Sequence, residues 1–232
     1  MIKRTLIAAA FTLAGVTAAS AEPLIWGVDV EKFEYRLGEQ NGNAYAWDFD
    51  ALVGTDEMKF VWRSEAEYAT DERSFEVLDN QARVQIPVST FFDGVVGVLA
   101  STPKGPDRFY GVLGLHGLAK QWFEVDMDLY VSNKPFARAE IDYEGLITNR
   151  VTLTPSWEVT LPLKDDPVIG LGAGGIKSEI GLRLSYDLVD RLLSPYVGVH
   201  YESTYGDTAR YRSEDGKSRD ATYLVTGLKM LF

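Results

Sequence analysis

The chain contains no cysteine, which excludes disulfides and thiolate metal sites. Soft or imidazole ligands are scarce as well: beyond the initiator there are only His116, His200, Met58, Met127 and Met230, and no spacing among them forms a metal motif. After residue 21 no apolar run is long enough for a spanning helix, so a membrane protein built from this chain must cross as a closed sheet. Positive charge is also in deficit, with 23 Lys and Arg against 34 Asp and Glu, which argues against nucleic acid as a partner.

At the N-terminus, Lys3 and Arg4 precede an apolar run from Leu6 to Val16, followed by the small residues Ala19, Ser20 and Ala21. This is the pattern of a secretory signal peptide over residues 1–21, with the mature chain expected to begin at Glu22. Its removal takes away two of the 23 basic residues and none of the 34 acids, leaving 21 against 34 and a formal charge of -13.

From residue 22 onward apolar and polar residues alternate, nowhere more plainly than in Phe123, Glu124, Val125, Asp126, Met127, Asp128 and Leu129. A strand sends successive side chains to opposite faces, so the text describes a sheet with one greasy face and one charged face. A soluble β-sandwich also alternates, but its outward face would rarely carry so many tryptophans and tyrosines near strand ends. The pattern predicts an all-β fold: a transmembrane antiparallel up-and-down β-barrel of about twelve strands, filling residues 22–232 as one domain. Alternating segments lie near residues 25–37, 44–54, 58–69, 75–86, 91–101, 108–119, 122–132, 136–146, 150–162, 175–188, 194–205 and 221–232. With a periplasmic N-terminus the even-numbered connections should be the short ones, and most are, while the two longest, residues 162–174 and 206–220, fall on the outside. Leu224, Leu228, Met230 and Phe232 share one face of the last segment, the form of a barrel-assembly signal.

The greasier phase assigns Tyr45, Trp47, Phe49, Val53, Phe60, Trp62, Ala66, Tyr68, Phe123, Val125, Met127, Leu129, Ala137, Ala139, Ile141 and Tyr143 to lipid. The other phase turns Asp48, Asp50, Arg63, Glu65, Glu67, Glu124, Asp126, Asp128, Arg138, Glu140, Asp142, Glu144, Glu158, Glu179, Arg183, His200 and Glu202 into the lumen. So many carboxylates with interspersed arginines predict ion pairs across the lumen, and the acidic excess predicts attraction of cations and refusal of anions. The same groups could instead only hold the barrel rigid and solvated.

Other motifs carry less. Gly170, Gly172 and Gly175 spell a dinucleotide fingerprint, but a strand follows where a helix is required, so the glycines are expected in a flexible external loop. Acid pairs such as Glu124 with Asp126, or Glu140 with Asp142, recur across the whole pattern and single out no general acid and base. His200 and Ser203 are three residues apart and fall on opposite faces of a strand, which argues against a nucleophile and base. His116 sits in a segment that is apolar in both phases.

Several blocks in order resemble the copper resistance protein B family of Gram-negative outer membranes. They are Glu31 to Gly54, Phe109 to Ser132, Asp142 to Pro155, Asp165 to Tyr186 and Ser194 to Ala209, spread over essentially the whole mature chain. The resemblance implies an outer-membrane barrel for copper tolerance or homeostasis, with copper as the associated ion, and supplies no catalytic residues. Family members commonly carry a Met- and His-rich extension ahead of the barrel; here the first strand follows almost directly on the expected cleavage site, so binding is expected to be weak or transient. Candidate copper contacts are then Asp126, Asp128, Glu140, Asp142, His116 and His200. Outer-membrane lipid and a periplasmic copper-handling protein are the other expected partners. An outer-leaflet lipid-modifying enzyme and a structural or adhesion barrel acting through residues 206–220 are the competing readings.

Overall fold

A computed structural model describes residues 23–103, 105–189 and 191–232, so the expected signal peptide lies outside the described residues. The strands, in chain order, are β1 (Ile25–Gly38), β2 (Ala44–Gly54), β3 (Lys59–Ala69), β4 (Ser74–Pro87), β5 (Phe92–Ser101) and β6 (Arg108–Leu118). They continue with β7 (Phe123–Val131), β8 (Phe136–Tyr143, resumed after Glu144 at Gly145–Leu146), β9 (Val151–Pro162), β10 (Ile176–Tyr186), β11 (Leu193–Tyr205) and β12 (Asp220–Leu231). Each pairs antiparallel with its sequence neighbours, and β1 pairs with β12 as well as β2. The twelve strands therefore close on themselves and leave no edge.

Burial runs opposite to that of a soluble protein. Arg83 is 0% exposed and Glu34 3%, while Trp26 is 69% and Phe109 71% exposed. Charged groups fill the interior and apolar ones the outside, which is the arrangement a hydrocarbon surround demands. Exposed Trp26, Phe91, Trp122 and Phe232 ring the end where the termini meet, and exposed Tyr45, Phe109 and Tyr205 mark the other. Ala66, expected on the lipid side, lies there opposite Trp47 in the β2–β3 ladder but is buried.

Two departures from strict alternation shape the lumen. The β1 register shifts between Val30 and Lys32 against β2, and between Val30 and Phe33 against β12, so Glu31 is an extra residue in a β-bulge. Both Glu31 and Lys32 consequently face inward. On the β5 to β8 side the lumen is lined by a buried apolar wedge of Leu99, Tyr110, Val112, Tyr130 and Phe136, with Tyr130 stacked on Phe136 at 4.3 Å.

The end opposite the termini carries more structure than the sequence reading assigned to it. Residues 206–220, expected as loop, contain helix α1 (Gly206–Glu214), with Asp207 in its first turn and Arg212 in its last, each favourable to the helix dipole. The glycine-rich segment is not a flexible loop. It forms a tight turn at Pro167–Ile169, and Gly172 donates its N–H to Thr208 Oγ1 at 3.1 Å. A Cβ on Gly175 would lie 2.5 Å from the Thr208 nitrogen, so close approach of α1, rather than mobility, requires glycine there.

Candidate functional site

Successive lumenal rows are cross-linked by ion pairs that span the barrel, as the acid–arginine pattern predicts. Arg63 clasps Asp50 through Nε and Nη2, both at 2.9 Å, and reaches Asp126 on the far wall at 3.3 Å. Arg138 of β8 contacts Glu65 of β3 at 2.6 Å and Glu158 of β9 at 3.2 Å. Glu34 is a hub: it accepts from Arg183 twice, from Arg36 and from the Tyr196 hydroxyl, all at 2.9 Å. Bidentate guanidinium contacts of this kind fix both partners, because a planar fork fits a carboxylate in one orientation.

Between these pairs the described residues leave two cavities along the lumen. One of about 240 Å³ opens toward the end that carries the termini. The other, of about 110 Å³, lies toward α1. Lys32, Asp48, Glu140 and Arg183 line both and form the waist between them. There the Lys32 ammonium sits 3.3 Å from Asp48 and 3.2 Å from Glu140. The charge is unevenly divided. Nine carboxylates and five cationic side chains line the larger cavity, against six and five in the smaller. Carboxylates thus outnumber cationic side chains by four in the lining of the larger cavity and by one in that of the smaller.

The six candidate copper contacts are dispersed through this network. Asp126 is engaged by Arg63, by Arg83 at 3.6 Å and by His116 Nδ1 at 3.2 Å. Asp128 is taken up by Arg83. Glu140 holds Lys32, and Asp142 lines the larger cavity. His200 lies across the waist in the smaller cavity, 3.1 Å from Glu179. Among the described residues no three His, Asp or Glu side chains are grouped as a site for a metal ion. His116 corrects the sequence reading of its strand: the inward phase of β6 ends in a polar pocket, with Glu124 at 3.9 Å on its Nε2 side. His200 and Ser203 do not meet, since Ser203 donates to Asp220 at 2.5 Å.

Periodicity missed the β1 row of Asp29, Glu31, Lys32, Glu34 and Arg36, because the bulge moves its inward phase from odd to even numbers. It also missed Arg83 in β4, where polar residues occur in both phases. The doublet Glu31–Lys32, two charges in succession within an alternating strand, was the available signal.

The family model described as "Copper resistance protein B precursor (CopB)" matches residues 24–232. A "Copper resistance protein B homolog" of Pseudomonas syringae pv. tomato is 33% identical over 207 residues, which cover 87% of this chain and 68% of that protein. "Copper resistance protein B" of Escherichia coli is 31% identical over 205 residues, covering 88% and 68%. Among solved structures, the KdgM porin aligns with a TM-score of 0.54 and 17% identity over 86% of this chain and 98% of its own. The NanC porin aligns at 0.54 and 13%, covering 89% and 99%, and both likenesses speak to the fold.

Proposed function

Because the chain belongs to the copper resistance protein B family, we propose that this copper-resistance barrel sits in the Gram-negative outer membrane and draws copper cations into its acidic lumen. The observation that carries the reading is the nine-to-five excess of carboxylates in the cavity at the terminal end. That end faces the periplasm in this reading, and the α1 end faces outward, since longer connections are external in such barrels. A narrow space lined by one sign of charge concentrates the opposite ion and repels like ions. The lining is oxygen-rich with a single imidazole, His200, in the smaller cavity, and Met127 and Met230 lie in the outward phase, away from it. Such a donor set suits divalent copper better than the cuprous ion, which prefers thiolate and thioether. Copper here is cargo, held briefly and exchanged with a periplasmic copper-handling partner. Membership of a copper resistance family supports a role in copper tolerance, and no residue is assigned a catalytic step.

The test compares a deletion strain with its complemented parent for growth and cell-associated copper across a copper series. Loss of tolerance on deletion, restored by the wild-type gene and impaired in a complement carrying Glu124→Gln and Asp142→Asn, is the expected result. Equal tolerance in all strains at every copper level overturns the proposal.

A further inference from the structure

We propose that Lys32 is the gate of the lumen: its ammonium is a tethered cation that occupies the one position a passing cation must take. The inference rests on the cation-attracting lumen proposed above and adds the residue that controls passage. Lys32 stands where the two cavities meet, one of four residues shared by both linings, and its ammonium bridges Asp48 on the neighbouring strand to Glu140 on β8. A cation moving from one cavity to the other meets this pair of carboxylates with a positive charge already between them.

The manner of holding distinguishes Lys32 from Arg183, the other cation of the waist, and from Arg63 beside it. Arg183 is clasped by both oxygens of Glu34, and Arg63 by both oxygens of Asp50, all at 2.9 Å. Lys32 has one contact to each carboxylate, at 3.3 and 3.2 Å, made by a compact charge on four rotatable methylenes. It can swing aside without dismantling a bidentate pair, whereas Arg183 and Arg63 cannot. The bulge gives the reason for its placement. Glu31 and Lys32 enter the lumen side by side, so the ammonium has a third carboxylate within its own strand to move toward when an incoming cation displaces it from Asp48 and Glu140. Exchange of one cation for another at an anionic pair leaves the local charge balanced, which keeps the barrier to passage low in a confined space.

Conductance of the purified full-length barrel in planar bilayers, in potassium chloride, reads the gate without involving copper. Lys32→Met, close in size and uncharged, should raise single-channel conductance severalfold and increase selectivity for potassium over chloride. Lys32→Arg, which can grip both carboxylates with its fork, should conduct no more than the wild type. A second route avoids dependence on one variant: Asp48→Asn with Glu140→Gln removes the pair at which an incoming cation exchanges, leaves the ammonium uncompensated, and should lower both conductance and selectivity for potassium over chloride. Folding of each is checked by the heat-dependent shift in gel mobility. Wild-type conductance in folded Lys32→Met or in the folded double variant overturns the gate, whatever the copper phenotype. Raised conductance in Lys32→Met and lowered conductance in the double variant, with copper tolerance of cells unaffected by deletion of the gene, uphold the gate and remove only the copper reading.

Discussion

Arg83 of β4 donates to both oxygens of Asp128 on β7, at 2.9 and 3.0 Å, although β5 and β6 lie between the two strands. The arm crosses a wall made thin by glycine. Gly97 is paired with Arg83, and Gly114 is paired with Asp128, where a Cβ would sit 2.8 Å from the Met127 carbonyl oxygen and closer still to the carboxylate. Asp128→Ala leaves the 0%-exposed Arg83 without its main partner, and breaking a buried pair in this way costs about 3–5 kcal/mol. Urea unfolding in lipid, followed by tryptophan fluorescence, should show a loss in that range, and Arg83→Met combined with Asp128→Leu should recover much of it. A single variant as stable as the wild type would mean that the pair does not brace the wall.

The bulge makes a prediction about deletions. Glu31 is the unpaired residue of β1, so removing it joins Val30 to Lys32 in regular alternation and leaves every later residue on its present face. Removing Tyr35 instead turns Arg36 toward lipid, or closes the bulge and turns Lys32 and Glu34 there. A basic side chain at the bilayer midplane costs about 2–4 kcal/mol. The Glu31 deletion should therefore assemble in the outer membrane and the Tyr35 deletion should accumulate unfolded. Equal assembly of the two would contradict the assigned register.

Helix α1 is tied to the rest of the α1 end by a few polar contacts. Thr208 Oγ1 accepts from the Gly172 N–H at 3.1 Å and donates to the Gly172 carbonyl at 3.3 Å. Arg212 pairs with Glu202, and Lys217 with Glu76, across the rim. Thr208→Val removes both hydrogen bonds at nearly constant volume, so limited proteolysis of whole cells should cut between residues 163 and 175 faster than in the wild type. Unchanged protection would assign the order of that segment to Arg108 and Asp166, which are clasped at 2.8 and 3.0 Å.

Strand positions and facing were legible because lipid and lumen impose a period of two, and residues 44–54, for example, pair over the whole span that alternation marked out. What periodicity could not show is whatever breaks the period or depends on contacts distant in sequence. The Glu31 bulge shifts the inward phase of β1, so Lys32 and Glu34 were invisible to a fixed alternation. The wedge of Tyr110, Tyr130 and Phe136 turns apolar rings inward on a wall that composition alone would make charged. Helix α1 has polar residues all round, and its hold on Gly172 and Gly175 arises only when residues 36 apart meet. Among the candidate contacts, Asp126 and Asp128 looked equivalent to Asp142 in sequence. The partners differ: the first two serve arginines, and Asp142 faces the larger cavity.

That difference separates the acids that brace the barrel from those that the proposed reading assigns to attracting ions. Glu124 lines the larger cavity with His116 at 3.9 Å, and neither it nor Asp142 anchors an arginine among the described residues. Glu124→Gln with Asp142→Asn should therefore change stability by no more than about 0.5 kcal/mol, the range of substitutions that break no buried network. The same double variant should lower the ratio of cation to anion permeability, read from the reversal potential across a potassium chloride gradient. The effect should be largest in dilute salt, because the screening length falls from about 30 Å at 0.01 M to about 3 Å at 1 M. Asp126→Asn should behave the other way, losing stability as Arg63 and Arg83 give up a shared partner. If the double variant keeps wild-type selectivity in dilute salt, the carboxylates of the larger cavity are scaffold and the attraction of cations has another source.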